Sequence, residues 1–330
     1  MGRYLFRRLL QVPIVLLILV TISFFLMRAA PGGPFDMDKQ VDADIKRRME
    51  EKYHLDKHPV VQYGMFLRDL APIHVFDREG NVSIRPGFDL GPSFKNKSLS
   101  VNEVIWLKAP VSALLGIAAL LISLVLGLGA GVVAGVRQNS VFDYGSMAVA
   151  MVGLAVPTFV VGPLLALVFG LWWKLLPVAG YAADGGFFGG LMAPQYLILP
   201  AFALALPFAA RIARLTRAGM LEVINQDYIR TAWAKGLREH VIVVRHALRG
   251  AMLPVVSFLG PAVAQILTGS LVVEQIFAIP GIGREFVTSA MNRDYTMVMG
   301  TVILFGVLLV AFNLIVDVVY GLLDPRIRYT

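Results

Sequence analysis

Four groups of residues have types and spacings that could do chemistry. Gly127-Leu-Gly129-Ala-Gly131-Val-Val-Ala134 has the outline of a dinucleotide-binding fingerprint. His54 and His58 stand four apart, as two metal ligands on one helix face do. Asn313 and Asp317 stand four apart inside an apolar run, where an ionisable group can belong to a proton path. His240 and His246 sit among arginines. In each case the surroundings favour a structural role. A dinucleotide site needs a strand before its glycines and a soluble βαβ unit around them. Here the glycines lie in an apolar run, and Gly127, Gly131 and Gly135 recur every fourth residue, the spacing that lets two helix backbones approach closely. No Glu stands between His54 and His58 as in a metalloprotease motif, and Pro59 ends that segment, so the pair is assigned to the end of a solvated helix. One carboxylate does not make a relay, and Asp317, near the end of its run, is expected to hydrogen-bond between helices. His240 and His246 have only Glu239 as a nearby carboxylate and are assigned to the membrane interface. There is no Gly-x-Ser-x-Gly, no His-Glu-x-x-His and no Gly-x-x-x-x-Gly-Lys-Ser/Thr, so the chain cannot hold ATP through a Walker loop. Cysteine is absent, which excludes disulfides, thiolate metal sites and a Cys nucleophile. No catalytic residue, no metal site and no cofactor of this chain's own are predicted.

The elements that would position these residues are membrane helices. Of 330 residues 57% are hydrophobic and 16% charged, with mean hydropathy +0.70, more apolar surface than a soluble domain can hide beneath a polar skin. Six runs approach the ~20 apolar residues that cross a bilayer: Leu9 to Met27, Val111 to Val136, Met147 to Leu171, Leu197 to Ile212, Met252 to Val273 and Met297 to Leu322. The fourth is the weakest, short and interrupted by Pro200 and Pro207. The first is expected to stay as an anchor, because its apolar run exceeds a signal core and Arg28-Ala-Ala-Pro31 is a poor cleavage site.

With six spans, Arg3, Arg7, Arg8, Arg137, Arg214, Arg217, Arg230, Lys235, Arg238, Arg245, Arg249, Arg326 and Arg328 all fall on one side, which places both termini in the cytoplasm. The net charge of +8 therefore reports topology and not a nucleic-acid partner. The segment from Pro31 to Lys108 carries twelve basic and twelve acidic residues and is neutral in this count. It is expected to be a small external subdomain with helices from Ala43 to Tyr53 and Pro59 to Leu70. A hairpin is expected from Phe76 to Phe88 around Asp-Arg-Glu-Gly-Asn.

Between the fourth and fifth spans lies a basic stretch too long for a turn. Asn225-Gln226-Asp227 is a plausible N-cap and Gly236 a plausible C-cap of a short helix with Ile229, Ala232 and Trp233 on one face. A second helical stretch runs from Arg238 to Leu248, and Pro254 opens the fifth span. Such a helix can lie on lipid headgroups or fit a groove of a cytoplasmic protein, and physics alone leaves both open.

A family resemblance separates them. Arg230-Thr231-Ala232-x-x-x-Gly236, followed by Arg245-His246-Ala247-Leu248-Arg249 and Leu253-Pro254, resembles the cytoplasmic-loop signature of binding-protein-dependent ABC importer permeases, in particular the peptide/nickel branch. Arg230 and Thr231 replace the Glu and first Ala of the general pattern, a departure usual in that branch, which removes a Glu-mediated contact. Four further stretches resemble the same branch: Asp89-Leu-Gly91-Pro-Ser93; Pro157-Thr-Phe-Val-Val-Gly162; Glu274-x-x-Phe277-x-x-Pro280-Gly281-x-Gly283 with Arg293-Asp294-Tyr295; and Asn313, Asp317, Tyr320 and Asp324-Pro325-Arg326. The stretch from Gly91 to Lys97 and the long external segment resemble the first membrane subunit of oligopeptide importers.

The resemblance implies an all-α polytopic membrane protein with the type I ABC importer permease fold: six transmembrane helices and the external subdomain between the first two. It implies an anchor and subdomain over 1–109, a permease core over 110–323 with a coupling loop at about 218–250, and a tail over 324–330. The expected location is the bacterial inner membrane. The expected partners are a second homologous permease, two cytoplasmic ATPases that carry ATP and Mg, an extracytoplasmic peptide-binding protein, the peptide substrate and lipid. Arg230, Thr231, Ala232, Trp233, Lys235 and Gly236 would form the contact with an ATPase.

Overall fold

The computed structural model describes residues 2–30, 32–34, 47–48, 50–51, 53–71, 73–76, 82–86, 88–95, 98–181, 187–267 and 270–323. The helix start expected at Ala43, the hairpin turn at 77–81, Lys97, and Asp324 with the tail 324–330 lie outside them.

In chain order the elements are α1 (Gly2–Ala29), α2 (Pro59–Asp69), strands β1 (Ile73–Phe76) and β2 (Val82–Pro86), α3 (Val101–Val136), α4 (Val141–Ala155), α5 (Thr158–Leu165), α6 (Phe187–Met192), α7 (Gln195–Ile224), α8 (Asp227–Ala234), α9 (Glu239–Val241), α10 (Leu248–Ala251), α11 (Leu253–Leu267), α12 (Leu271–Ile276), α13 (Ile282–Met291) and α14 (Tyr295–Leu323). Two π-helical stretches, Ala166–Trp172 and Ile242–Ala247, continue α5 and α9. The strands pair antiparallel, with Ile73 opposite Pro86 and His74 opposite Arg85.

The expected six spans are present, with two corrections. Five stretches are long and apolar enough to cross a membrane: Leu10–Ala29, Val101–Val136, Gln195–Ile224, Leu253–Ile276 and Tyr295–Val318. The expected run from Met147 to Leu171 is instead a pair, Val141–Ala155 and Thr158–Trp172, bent by 106°. Pro157 causes the break. It forces the preceding Val156 out of the helical region to φ −85°, ψ 120°, and itself sits extended at φ −60°, ψ 143°.

The fourth span, by contrast, is not interrupted by its prolines. Pro200 and Pro207 both lie inside the continuous helix α7. Each removes one backbone hydrogen bond, but α7 is 61% buried over its most apolar window, more than the other four long helices, and this packing offsets the loss. Because α7 runs on to Ile224, Arg214 and Arg217 belong to the helix and not to the loop.

The chain forms two compact units, one of residues 1–8, 109–284 and 308–330 and one of residues 9–108 and 285–307. In the first, Val111, Leu115, Ala203, Ala205, Ile266, Val273, Phe277 and Ile279 make the principal core. The glycine repeat of α3 packs on α7. A Cβ at Gly127 would lie 2.7 Å from Ile212, at Gly131 2.5 Å from Thr216 and at Gly135 2.5 Å from Met220, whereas one at Gly129 would meet nothing within 4 Å. In the second unit, Val20 and Phe24 of α1 pack with Met299 of α14 and with Tyr63 and Phe66 of α2.

Gly131→Ala is expected to lower stability, because the added methyl must push α7 away, by about 1–3 kcal/mol. Gly129→Ala, on an open face, is expected to raise it by about 0.5–1 kcal/mol. Thermal unfolding of the two purified variants in mild detergent checks the sign of each.

Candidate functional site

Two stretches picked out in the sequence fold around buried carboxylates. Glu274, on α12, is fully buried. Its Oε1 accepts the Ser112 hydroxyl at 2.7 Å and its Oε2 the Arg284 backbone N–H at 2.9 Å, while Ser112 Oγ accepts the Ile282 N–H at 2.8 Å. The chain from Phe277 to Gly281 has left the helix, and the carboxylate and hydroxyl receive the N–H groups of Arg284 and Ile282, where helix resumes as α13. Both glycines follow from this. A Cβ on Gly281 would collide with the Glu274 carboxylate and the Ser112 hydroxyl, and one on Gly283 would stand 3.0 Å from Glu274 Oε2. Gly162, on α5, lets Phe277 close on that helix, since a Cβ there would meet the Phe277 ring at 3.3 Å. Pro280 is half-buried in the same turn.

In the second unit Asp294, 2% exposed, stands at the start of α14. Its carboxylate accepts Ser93 Oγ at 2.5 Å, the Phe94 N–H at 3.2 Å, Thr296 Oγ1 at 2.9 Å and the Met297 N–H at 3.2 Å. Ser93 and Asp294 are 201 residues apart in sequence. Gly91 turns the chain into this contact at φ +86°, a conformation that glycine adopts without strain. Its N–H donates to Asp89 Oδ1 at 2.8 Å and its carbonyl accepts the Val101 N–H at 3.1 Å.

A third carboxylate was not singled out from the sequence. Asp143, 1% exposed on α4, accepts Arg217 Nε at 2.5 Å and Nη2 at 2.8 Å, together with the Asn139 N–H at 3.0 Å. The local signal was Ser140-x-x-Asp143, a capping pattern, and Ser140 does cap α4. Nothing local marks Arg217 as the partner.

The basic stretch forms a short helix with two unlike faces. Ile229 and Ala232 of α8 are 1% and 6% exposed and pack with Met220, Ile242, Ala247 and Ala251. Trp233, expected on that face, is 51% exposed on the outer side with Arg230, Thr231 and Lys235. The reason is angular: Trp233 is about 100° around the helix from Ala232. Ala232 is therefore small because this chain's own helices press on it. Gly236 ends the helix at φ +73° with open space around its Cα. Gln226, the N-cap residue, makes no side-chain cap bond. Partial burial holds the Tyr228 phenol above its ordinary pKa, and its hydroxyl lies over Gly250.

The remaining motif residues are dispersed. Asn313 of α14 lies against α11, where a Cβ at Gly260 would come within 3.3 Å of its Oδ1, and Asp317 is half-buried one turn on. Pro254 is in the first turn of α11, where its missing N–H costs nothing. His58 caps α2 by accepting the Val60 N–H at 3.4 Å.

Residues 127–329 match the family model described as binding-protein-dependent transport system inner membrane component, and residues 1–116 match the model of its N-terminal region. The chain belongs to this family. It is 45% identical over 329 residues to the oligopeptide transport system permease protein OppB of Escherichia coli, and 43% identical over 329 residues to that of Haemophilus influenzae, with 100% of both chains covered each time. It is 41% identical over 328 residues to the dipeptide transport system permease protein DppB of Bacillus subtilis, covering 99% of this chain and 98% of the relative. As a member of the family it is an integral inner-membrane component of a transport system.

Removing Ser93's hydroxyl (Ser93→Ala) is expected to cost about 1.5–3 kcal/mol, the value of a hydrogen bond to a charged group. Asp294→Ala should cost more, since several donors are stranded at once. Urea or thermal unfolding of the two variants and of the double variant tests the order, and additive losses would show that the pair does not act as a unit.

Proposed function

We propose that this chain is a permease subunit of an ATP-driven importer of oligopeptides, with both termini in the cytoplasm and the segment between α1 and α3 outside. The observation that carries this is the identity of 45% over its whole length to an oligopeptide permease. A second homologous permease completes the path, an extracytoplasmic binding protein delivers the peptide, and two cytoplasmic ATPases hold ATP and Mg. The outer face of α8, with Arg230, Thr231, Trp233, Lys235 and the open end at Gly236, docks on one ATPase. Its inner face, through Ile229 and Ala232, is fixed to Met220 of α7 and to Ala247 and Ala251 before α11. A push on α8 is thereby passed to the feet of two spans, and the cavity changes its exposure as the ATPases close. Asp143 and Arg217 tie α4 to α7 near the same end, so α4 follows.

The relation to a dipeptide permease at 41% identity makes dipeptides the competing cargo. Uptake of labelled di-, tri- and pentapeptides by the reconstituted complex separates the two, the expected result being transport of the longer peptides. Gly236→Arg is expected to abolish ATP-driven uptake while the protein still inserts, and normal uptake would refute the docking. Gly236→Ala alone strains the helix end by about 1–2 kcal/mol. Trp233→Ala is expected to reduce recovery of the ATPase on gentle purification. A wild-type chain that never retains an ATPase would exclude the importer altogether.

A further inference from the structure

Helix α7 is the most buried of the five long apolar helices, yet it has one open face. Along its lower half that face carries Arg211, Arg214, Ala218 and Glu222, all exposed, at intervals of three and four residues. Arg211 stacks on the Phe258 ring of α11, its Cζ 5.4 Å from the centroid, and Phe208 lies beside that ring at 6.4 Å. Among the described residues neither Arg211 nor Arg214 has a carboxylate partner, in contrast to Arg217, which turns inward to Asp143.

Depth makes this unusual. Residues 109–136 of α3, between Lys108 and Arg137, carry no charge, and the middle of that stretch marks the centre of the hydrocarbon. Gly127 packs on Ile212 and Gly131 on Thr216, so α3 and α7 run in step. Arg211 is thus level with about Gly127, roughly four residues or 6 Å along the axis from the middle of that stretch. Arg214 is about 10 Å from it. Both lie within the ~15 Å half-thickness of a bilayer core. An arginine side chain at that depth faces water or protein, not lipid.

We propose that the open face of α7 lines the translocation path and that Arg211, with Arg214, receives the terminal carboxylate of a peptide in transit. This rests on the peptide-import function proposed above. A linear peptide of any sequence ends in a carboxylate, so a path that passes varied side chains gains from binding the common group. The guanidinium fork grips a carboxylate with two parallel hydrogen bonds. Phe208 and Phe258 beside it offer ring faces that accept apolar side chains without regard to sequence.

The chain has no cysteine, so single-cysteine variants, read on this subunit's own band, report access without background from this chain. In the complete importer turning over ATP, Arg211→Cys and Arg214→Cys should react with an anionic, membrane-impermeant thiosulphonate. Val125→Cys, on the 72% exposed apolar side of α3 at a similar depth, should not. Protection of both arginine positions would overturn the path assignment. For recognition, uptake of a tripeptide and of its C-terminal amide is compared in proteoliposomes carrying the same binding protein, whose own selectivity cancels between variants. Arg211→Gln should lower the ratio of free-acid to amide uptake roughly tenfold, and Arg211→Lys should lower it less. An unchanged ratio with wild-type transport intact would overturn the carboxylate role. So would loss of the second permease on purifying Arg211→Gln, which would show the face to be a subunit contact. A wild-type complex that carries neither peptide would instead refute the peptide-import function itself.

Discussion

Backbone that leaves the helix inside a membrane protein must find its hydrogen bonds within the chain, because hydrocarbon offers none. Here the turn from Phe277 to Gly281 and the first N–H groups of α13 are held by Glu274 and Ser112, and the approach to α14 by Asp294 and Ser93. The same constraint explains the glycines. A carboxylate that receives N–H groups from a turn needs that turn within 3 Å, and Gly281 and Gly283 leave the room. A buried carboxylate is costly unless its oxygens are saturated, so these residues come as sets, and losing one member strands the others.

A second level of organisation lies in helix contact. Three glycines of α3 spaced by four bring α7 against it, and α7 tolerates two prolines because neighbours enclose most of its circumference. Enclosure also gives meaning to the part of α7 that is not enclosed. Its lower open face is basic, at a depth where lipid is an unsuitable neighbour. At the foot of α7, Met220 anchors the short helix α8, whose inward apolar pair and outward basic and aromatic residues separate attachment from docking.

Much of this architecture could be read from residue order. Apolar run length set the number of spans, the glycine period set the α3 face, and Gly236 marked the end of α8, since each depends on local geometry. Trp233 was placed on the wrong face because in an eight-residue helix one position of phase moves a side chain by about 100°. The continuity of the fourth span is not legible in residue order, because proline's cost depends on surrounding packing, which has no local signature. The role of Asp143 is not legible for a related reason: its partner is 74 residues away.

By itself, the sequence determined that the chain lives in a membrane, crosses it six times, has no nucleotide loop, and carries the motifs of one transporter family, because hydrophobic length and short motifs are properties of neighbouring residues. The tertiary structure decided what those motifs do. It joined Ser93 to Asp294, Glu274 to Ser112 and Asp143 to Arg217, gave Ala232 an internal cause, and left Arg211 and Arg214 facing outward from an otherwise buried helix. Such pairings are set by which side chains packing brings within hydrogen-bond reach, a relation between distant segments that no local pattern contains.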